Sequence, residues 1–101
     1  MDVFLSKLAE SKLLDLKEYL LEKWNVKVKN DFFQKFKEKV DMISNQPESC
    51  PQSKEFKGLF KCVVSKQNTF YYRVSYDRNE IEIITVFDTR QNPEKLKKDL
   101  K

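Results

Sequence analysis

Residues 70–93 have the sequence FYYRVSYDRNEIEIITVFDTRQNP and show the strongest period-two pattern in the chain. Two runs of strand-forming residues, 70–76 and 80–88, each alternate between two sets of side chains, as strands with two different faces do. Residues 77–79 lie between the runs and are Asp, Arg and Asn, of which Asp and Asn favour tight turns. The segment therefore predicts a β-hairpin, which we take as the scaffold of the functional surface.

The alternation also assigns side chains of this hairpin to faces. Arg73 lies in the middle of the first strand, where a charged side chain must point to solvent or to a partner, and Arg90 follows the second strand. One face of the second strand is predicted to carry Ile81, Ile83, Thr85 and Phe87.

One strand and two helices are predicted before the hairpin. Residues 3–5 are a short apolar run, and Ser6 fits the N-cap of a helix that extends to about Trp24. Asn30 or Asp31 can cap a second helix that ends near residue 45, because Pro47 disfavours helix in the residue before it. Apolar residues at spacings of three and four support both helices, and Trp24 and Phe36 are expected in the core. The first helix has the stripe Ala9, Leu13, Leu16, Leu20 and Trp24.

A loop and one more strand connect the second helix to the hairpin. Residues 46–57 contain two prolines and predict a loop. Residues 59–64 predict a strand, with Phe60, Cys62 and Val64 on one face and Lys61 on the other. After Pro93 the sequence EKLKKDLK favours helix but is short and charged, so we expect it to be frayed or ordered only by contact.

These elements follow one another in the order β-α-α-β-β-β, which predicts an α+β fold in a single domain, residues 1–101. An N-terminal helical hairpin should cover one face of a small antiparallel sheet, because neighbouring helices with a short connection pack antiparallel. The opposite face of the sheet should remain partly open.

The composition narrows the function classes. The chain has no histidine, so it lacks the commonest general base and metal ligand, and two cysteines cannot form a zinc site. With Gly58 as its single glycine, the chain has no phosphate-binding loop, and we expect neither cofactor nor metal. No apolar run could span a membrane, and the start MDVFLSKLAESK does not resemble a signal peptide, so a cytoplasmic location with free thiols at Cys50 and Cys62 is expected.

Positive charge is concentrated near the C-terminus of this chain of net charge +4. Residues 1–46 carry 9 basic and 8 acidic side chains, whereas residues 89–101 carry 5 basic and 2 acidic ones. Such an excess favours an acidic partner, either nucleic acid or an acidic protein segment, although it can also serve solubility alone.

The ordered combination of these segments resembles the RelE/ParE toxin superfamily of bacterial type II toxin-antitoxin systems. The segment VFLSKLAESKLLDLKEYL is similar to the opening strand and first helix of that family, with Ala9, Leu13, Leu16 and Tyr19 in the helical pattern. Residues 71–74, YYRV, resemble its tyrosine-arginine-valine strand. The segment FDTRQNPEKL is similar to the arginine-bearing end of the last strand in plasmid-stabilisation proteins.

The resemblance implies a cognate antitoxin and one of two targets. RelE-like members cut messenger RNA on the ribosome, and ParE-like members poison DNA gyrase. On this chain Arg73 matches the mid-sheet arginine and Arg90 the late-strand arginine, with Lys57 and Lys61 as weaker matches. The C-terminal tyrosine or histidine of the nucleases is missing from residues 91–101, which favours gyrase.

Three hypotheses therefore follow from the sequence. The first is a gyrase inhibitor, neutralised by an antitoxin, whose basic tail with Lys95, Lys97 and Lys98 docks on an acidic surface or on phosphates. The second is a messenger RNA endonuclease, and the third is an inactive binding module with the same fold. Tyr71 could stack on a base, although aromatic residues in strands more often pack.

Overall fold

The computed structural model describes residues 1–100, without the side chain of Pro93. Four strands and three helices form in chain order, and the predicted α+β fold is confirmed. The elements are β1 (Asp2–Leu5), α1 (Lys7–Lys23), α2 (Val26–Asn45), β2 (Phe60–Val63), β3 (Asn68–Ser75), β4 (Glu80–Asp88) and α3 (Pro93–Leu100).

The four strands form one sheet in the order β1-β4-β3-β2. Strands β2, β3 and β4 are the predicted antiparallel meander, and β1 pairs with β4 in parallel, so the sheet is mixed. The β3–β4 turn ends at Asn79, whose φ of 56° lies in the left-handed region that asparagine tolerates. The predicted hairpin is therefore confirmed.

The two long helices begin at side-chain caps and pack on one face of the sheet, which we call the helix-side face. The hydroxyl of Ser6 accepts a hydrogen bond from the Ala9 amide, and the Asn25 side chain accepts one from the Val28 amide. The N-cap of α2 is Asn25, five residues before Asn30 and six before Asp31, the two predicted caps. None of the helices in the described part of the chain is long and apolar enough to span a membrane.

The predicted core position of Trp24 is wrong. Its side chain is 64% exposed, because α1 ends at Lys23 and the chain turns there into the cap of α2. Phe36, the other predicted core aromatic, is buried, and its ring centroid lies 5.5 Å from that of Phe70. Trp24 continues the apolar stripe of α1 in sequence, but Leu20, one turn earlier, is the last residue of that stripe that is buried.

A β-bulge divides β4 into two parts that face different ways. Tyr71 pairs with Thr85 and Tyr72 with Ile83, so Ile84 is an extra residue on β4. The prediction that Ile81, Ile83, Thr85 and Phe87 share a face is therefore wrong. Beyond the bulge, Thr85 and Phe87 point to the side of the sheet opposite the helices, which we call the second face.

Helix α3 covers part of this second face. Leu96 is buried against Tyr71 and Phe87, with Phe56 and Leu100 at the edge of the cluster. The expectation that residues after Pro93 are frayed is thus corrected for residues 93–100, which form a helix ordered by contact with the sheet, and Lys101 lies outside the described residues. The second face remains open beside this cluster, around Arg73.

Candidate functional site

Arg90 is held in a fixed orientation at the end of β4. Its Nε and Nη2 atoms donate to the two carboxylate oxygens of Asp88 at 3.0 and 2.8 Å, and its backbone amide donates to Asp88 at 2.9 Å. The Thr89 amide bonds to the carbonyl of Gln67 at 2.8 Å, which ties this segment to the β2–β3 turn. These hydrogen bonds cap the end of β4, and the guanidinium remains half exposed.

A groove runs from Arg90 along the side of α1. We call it the Arg90 groove and define it by Leu16, Tyr19, Trp24, Asn68 and Arg90. One part has a volume of about 430 Å³ beside Asp88, and the other, of about 400 Å³, extends to Trp24 and α2. The Tyr19 hydroxyl lies beside the Arg90 guanidinium. The groove thus joins an arginine to two exposed aromatic side chains.

Two cations that line this groove, Arg90 and Lys12, are paired with carboxylates of the chain. The hydrogen bonds from Arg90 lower the pKa of Asp88, and Asp88 raises that of Arg90. Lys12 forms an ion pair with Asp99 of α3. Paired cations of this kind position a partner better than they activate a nucleophile. The arrangement is suited to docking.

The predicted sheet residues lie on the second face or its edge. Arg73 is exposed and opposite Glu82 in the strand register, and within residues 1–100 no carboxylate lies at ion-pair distance from it. Lys61 is half-buried on β2, opposite Tyr71, and Lys57 is exposed in the preceding loop. Glu82 is the cross-strand neighbour of Arg73, whereas Asp88, at the end of β4, is bound to Arg90.

The structure does not bring Arg73 and Arg90 together. Arg73 is level with Glu82, six residues before the end of β4, which corresponds to about 20 Å along the strand. The two arginines therefore belong to two surfaces, the Arg90 groove and the open part of the second face.

Tyr71 is not available for stacking on a base. Its side chain is 3% exposed, under Phe56 and α3, and burial raises its pKa. This corrects its place among the candidate binding residues and supports the packing interpretation. The tail lysines Lys95, Lys97 and Lys98 are exposed on α3, and Lys97 pairs with Glu94.

Two groove residues were missed as binding candidates. Tyr19 entered only as part of a helical pattern, and Trp24 was assigned to the core. Both are aromatic residues near the C-terminal end of a predicted helix. Such residues can extend beyond the sheet on which the helix packs, and this would have marked Tyr19 and Trp24 as binding candidates. In the described part of the chain, His, Cys, Asp and Glu side chains form no group of three that could hold a metal ion.

The sequence matches the family described as ParE toxin of type II toxin-antitoxin system, parDE, over residues 3–93. No curated protein sequence matches the chain significantly. The family match covers β1 from Val3, the three other strands, both long helices and the Arg90 groove, and it ends where α3 begins. The chain therefore belongs to the ParE toxin family of type II toxin-antitoxin systems.

Proposed function

We propose that this toxin inhibits DNA gyrase by binding to it, without chemistry on nucleic acid, and that a cognate antitoxin neutralises it. Membership of the ParE family supports a toxin with an antitoxin partner. The Arg90 groove supports binding rather than catalysis, because two of its cations, Arg90 and Lys12, are engaged with carboxylates and the chain has no histidine.

The observation that carries the proposal is the grouping of Trp24, Tyr19 and Arg90 along one groove. Trp, Tyr and Arg are the residues that most often dominate the binding energy of protein–protein interfaces. An exposed tryptophan on a small protein also leaves apolar area in water that a partner would cover. We infer that the target contacts this groove.

A gyrase supercoiling assay tests the target with a matched pair of variants. Trp24→Ala should weaken inhibition by about 10-fold or more, as expected for an interface anchor. Tyr76→Ala removes an aromatic side chain of similar exposure at the hairpin tip and should leave inhibition unchanged. Equal potency of wild type and Trp24→Ala would remove the groove from the interface, and no inhibition by wild type would remove gyrase as the target.

The antitoxin is proposed to contact the open part of the second face. A tail that folds on binding can place carboxylates against Arg73, which no side chain of the described residues pairs. Arg73→Glu should therefore weaken the complex with the cognate antitoxin, as measured by calorimetry. Arg78→Glu makes the same charge change in the exposed turn and is the control; equal affinity of both variants would exclude Arg73 from the interface.

A messenger RNA endonuclease remains the second candidate because of one observation, the Tyr19 hydroxyl beside Arg90. A tyrosine from α1 would then stand in for the missing C-terminal one. Cleavage of translated messages on purified ribosomes, lost on Tyr19→Phe, would favour this candidate. Absence of growth arrest on induction, with antitoxin binding retained, would identify an inactive binding module.

A further inference from the structure

Cys50 and Cys62 lie opposite each other across a short antiparallel pairing. The Lys61 amide donates to the Pro51 carbonyl at 2.9 Å, and the Ser53 amide donates to the Leu59 carbonyl at 2.8 Å. Gln52 and Phe60 form the bridge between these two hydrogen bonds. One step further in the same register, Cys50 stands opposite Cys62.

This register gives the two cysteines the close spacing of a pair without mutual backbone hydrogen bonds. The backbone hydrogen bonds join Pro51 to Lys61 and Ser53 to Leu59. The pair Gln52–Phe60 between them, and the pair Cys50–Cys62 next along, are therefore pairs without hydrogen bonds to each other. In such pairs opposite Cα atoms are about 4.5 Å apart. Disulfides need Cα separations of about 4.4–6.8 Å, so ideal geometry in this register meets the requirement.

The two thiols also share one buried environment. Both belong to the core cluster of the helix-side face, with side chains 6% and 1% exposed. The Tyr72 hydroxyl donates to the Pro47 carbonyl at 2.7 Å, which fixes the chain three residues before Cys50. Burial, together with the adjacent Cys50 thiol, raises the pKa of Cys62 to about 12. The thiols are therefore adjacent but protected while the loop is closed.

We propose that Cys50 and Cys62 form a reversible intramolecular disulfide when the protein meets a small-molecule disulfide such as oxidised glutathione. This site is independent of the proposed target of the toxin. Its effect is local: the bond would tie the loop between α2 and β2, which carries Lys57, to the first residues of the sheet.

The reaction consists of two thiol–disulfide exchanges. The Cys50 thiolate, on the loop, attacks one sulfur of the small disulfide and displaces one small thiolate, which takes up the proton lost by Cys50. The Cys62 thiolate then attacks the sulfur of Cys50 and displaces the second small thiolate, which takes up the proton of Cys62. The two cysteines are oxidised by two electrons, and one small disulfide is reduced to two thiols.

Protection of Cys62 predicts how the rate should behave. Since the thiolate is the attacking species, the rate should rise with pH and with opening of the loop at residues 46–57. Tyr72→Phe removes the hydrogen bond to Pro47, so it should speed oxidation while leaving the thiol pair intact. Wild type and Tyr72→Phe thus differ in rate and share one product.

The experiment incubates the full chain with oxidised glutathione in mildly alkaline buffer, with and without urea below the unfolding midpoint. The expected product has lost about 2 Da and both free thiols, contains one cross-linked peptide pair, and unfolds at least about 5 °C higher. Reductant should reverse all of these changes. Cys50→Ser should give no such product, and any adduct should be a mixed disulfide.

Three results would overturn the proposal. One is a wild-type protein that retains both thiols in both buffers. Another is a wild-type product consisting mainly of mixed disulfides or covalent dimers, since neither needs the two cysteines to be opposite each other. The third is a cross-link that lowers the unfolding temperature, because the register predicts a bond without backbone distortion.

Discussion

The helix-side face and the second face of the sheet differ in how completely they are covered. On the helix-side face, Phe70, Tyr72, Ile81 and Ile83 are fully buried beneath α1 and α2. On the second face, α3 buries only a small cluster around Tyr71, and Arg73 next to it is exposed.

This difference suggests how the molecule separates folding from binding. A closely packed face tolerates little change, because lost methyl groups leave cavities that the surroundings fill poorly. A face covered by one eight-residue helix at the end of the chain can change more freely, and the ParE family match ends at the first residue of that helix. The predictions below test this contrast, beginning with the helix-side face, where a substitution should cause the largest loss in the free energy of unfolding.

Phe70→Ala should cause the largest loss of stability, about 3–5 kcal/mol in the free energy of unfolding. The ring is fully buried and lies against Phe36 and Tyr72 at centroid distances of 5.5 and 5.9 Å. Urea unfolding followed by circular dichroism measures it. Val63→Ala, at an exposed strand position, is the control and should change stability by less than about 0.5 kcal/mol; similar losses in both variants would contradict the contrast between the faces.

Leu96→Ala should have a smaller effect, about 1–3 kcal/mol, although a buried leucine is truncated. The loss is limited because α3 can undock while the remaining sheet and both long helices keep their packing. Limited trypsin digestion should then cut faster at Lys95, Lys97 and Lys98. Lys95→Ala on the exposed side is the control, and a Leu96→Ala loss equal to that of Phe70→Ala would mean that both faces unfold as one unit.

The order of elements could be predicted because period-two and helical patterns are local properties of the sequence. The face assignment failed at the bulge because an extra residue in a strand has no local pattern of its own. Ile84 is as apolar as its neighbours, and its carbonyl accepts a 2.6 Å hydrogen bond from the Ser6 hydroxyl, 78 residues away. Such a contact can be found only once the fold places β1 beside β4.

The candidate site was predicted only in part for the same reason. Arg73 and Arg90 can be recognised in the sequence because a charged side chain within or just after a strand must point to solvent or to a partner. Their separation by about 20 Å depends on register. Tyr19 and Trp24 join Arg90 because α1 runs beside the end of β4, and this is tertiary information. The two cysteines, predicted only to be free thiols, become neighbours through loop pairing.

Asp99→Ala should reduce stability by about 1 kcal/mol, less than Leu96→Ala. The carboxylate pairs with Lys12 of α1 and accepts a 3.2 Å hydrogen bond from the hydroxyl of Thr85, which is fully buried. Asp99→Asn keeps an acceptor for Thr85 and should recover part of the loss. Glu94→Ala breaks the exposed pair with Lys97 and is the control, since exposed pairs contribute little; a larger effect at Glu94 would contradict the assignment.

The smallest effect should come from Asp88 and should depend on pH. Its pKa is lowered from the ordinary 3.8 by the hydrogen bonds from Arg90. A carboxylate whose pKa is depressed by folding stabilises the native state fully above its ordinary pKa and loses that contribution as pH falls through the folded value. Asp88→Asn should therefore be less stable than wild type at neutral pH, by less than the Asp99→Ala loss, because the pair is partly exposed.

The test of Asp88 compares the two proteins by urea unfolding at neutral pH and well below pH 3.8. Other carboxylates also lose charge in acid, but they do so in both proteins, so the difference between them isolates Asp88. That difference should shrink towards zero at the acid end. High salt at neutral pH should reduce it as well, since solvent-exposed ion pairs are screened. A difference that stays constant over the whole range would show that Asp88 acts through the shape of the strand end rather than through its charge.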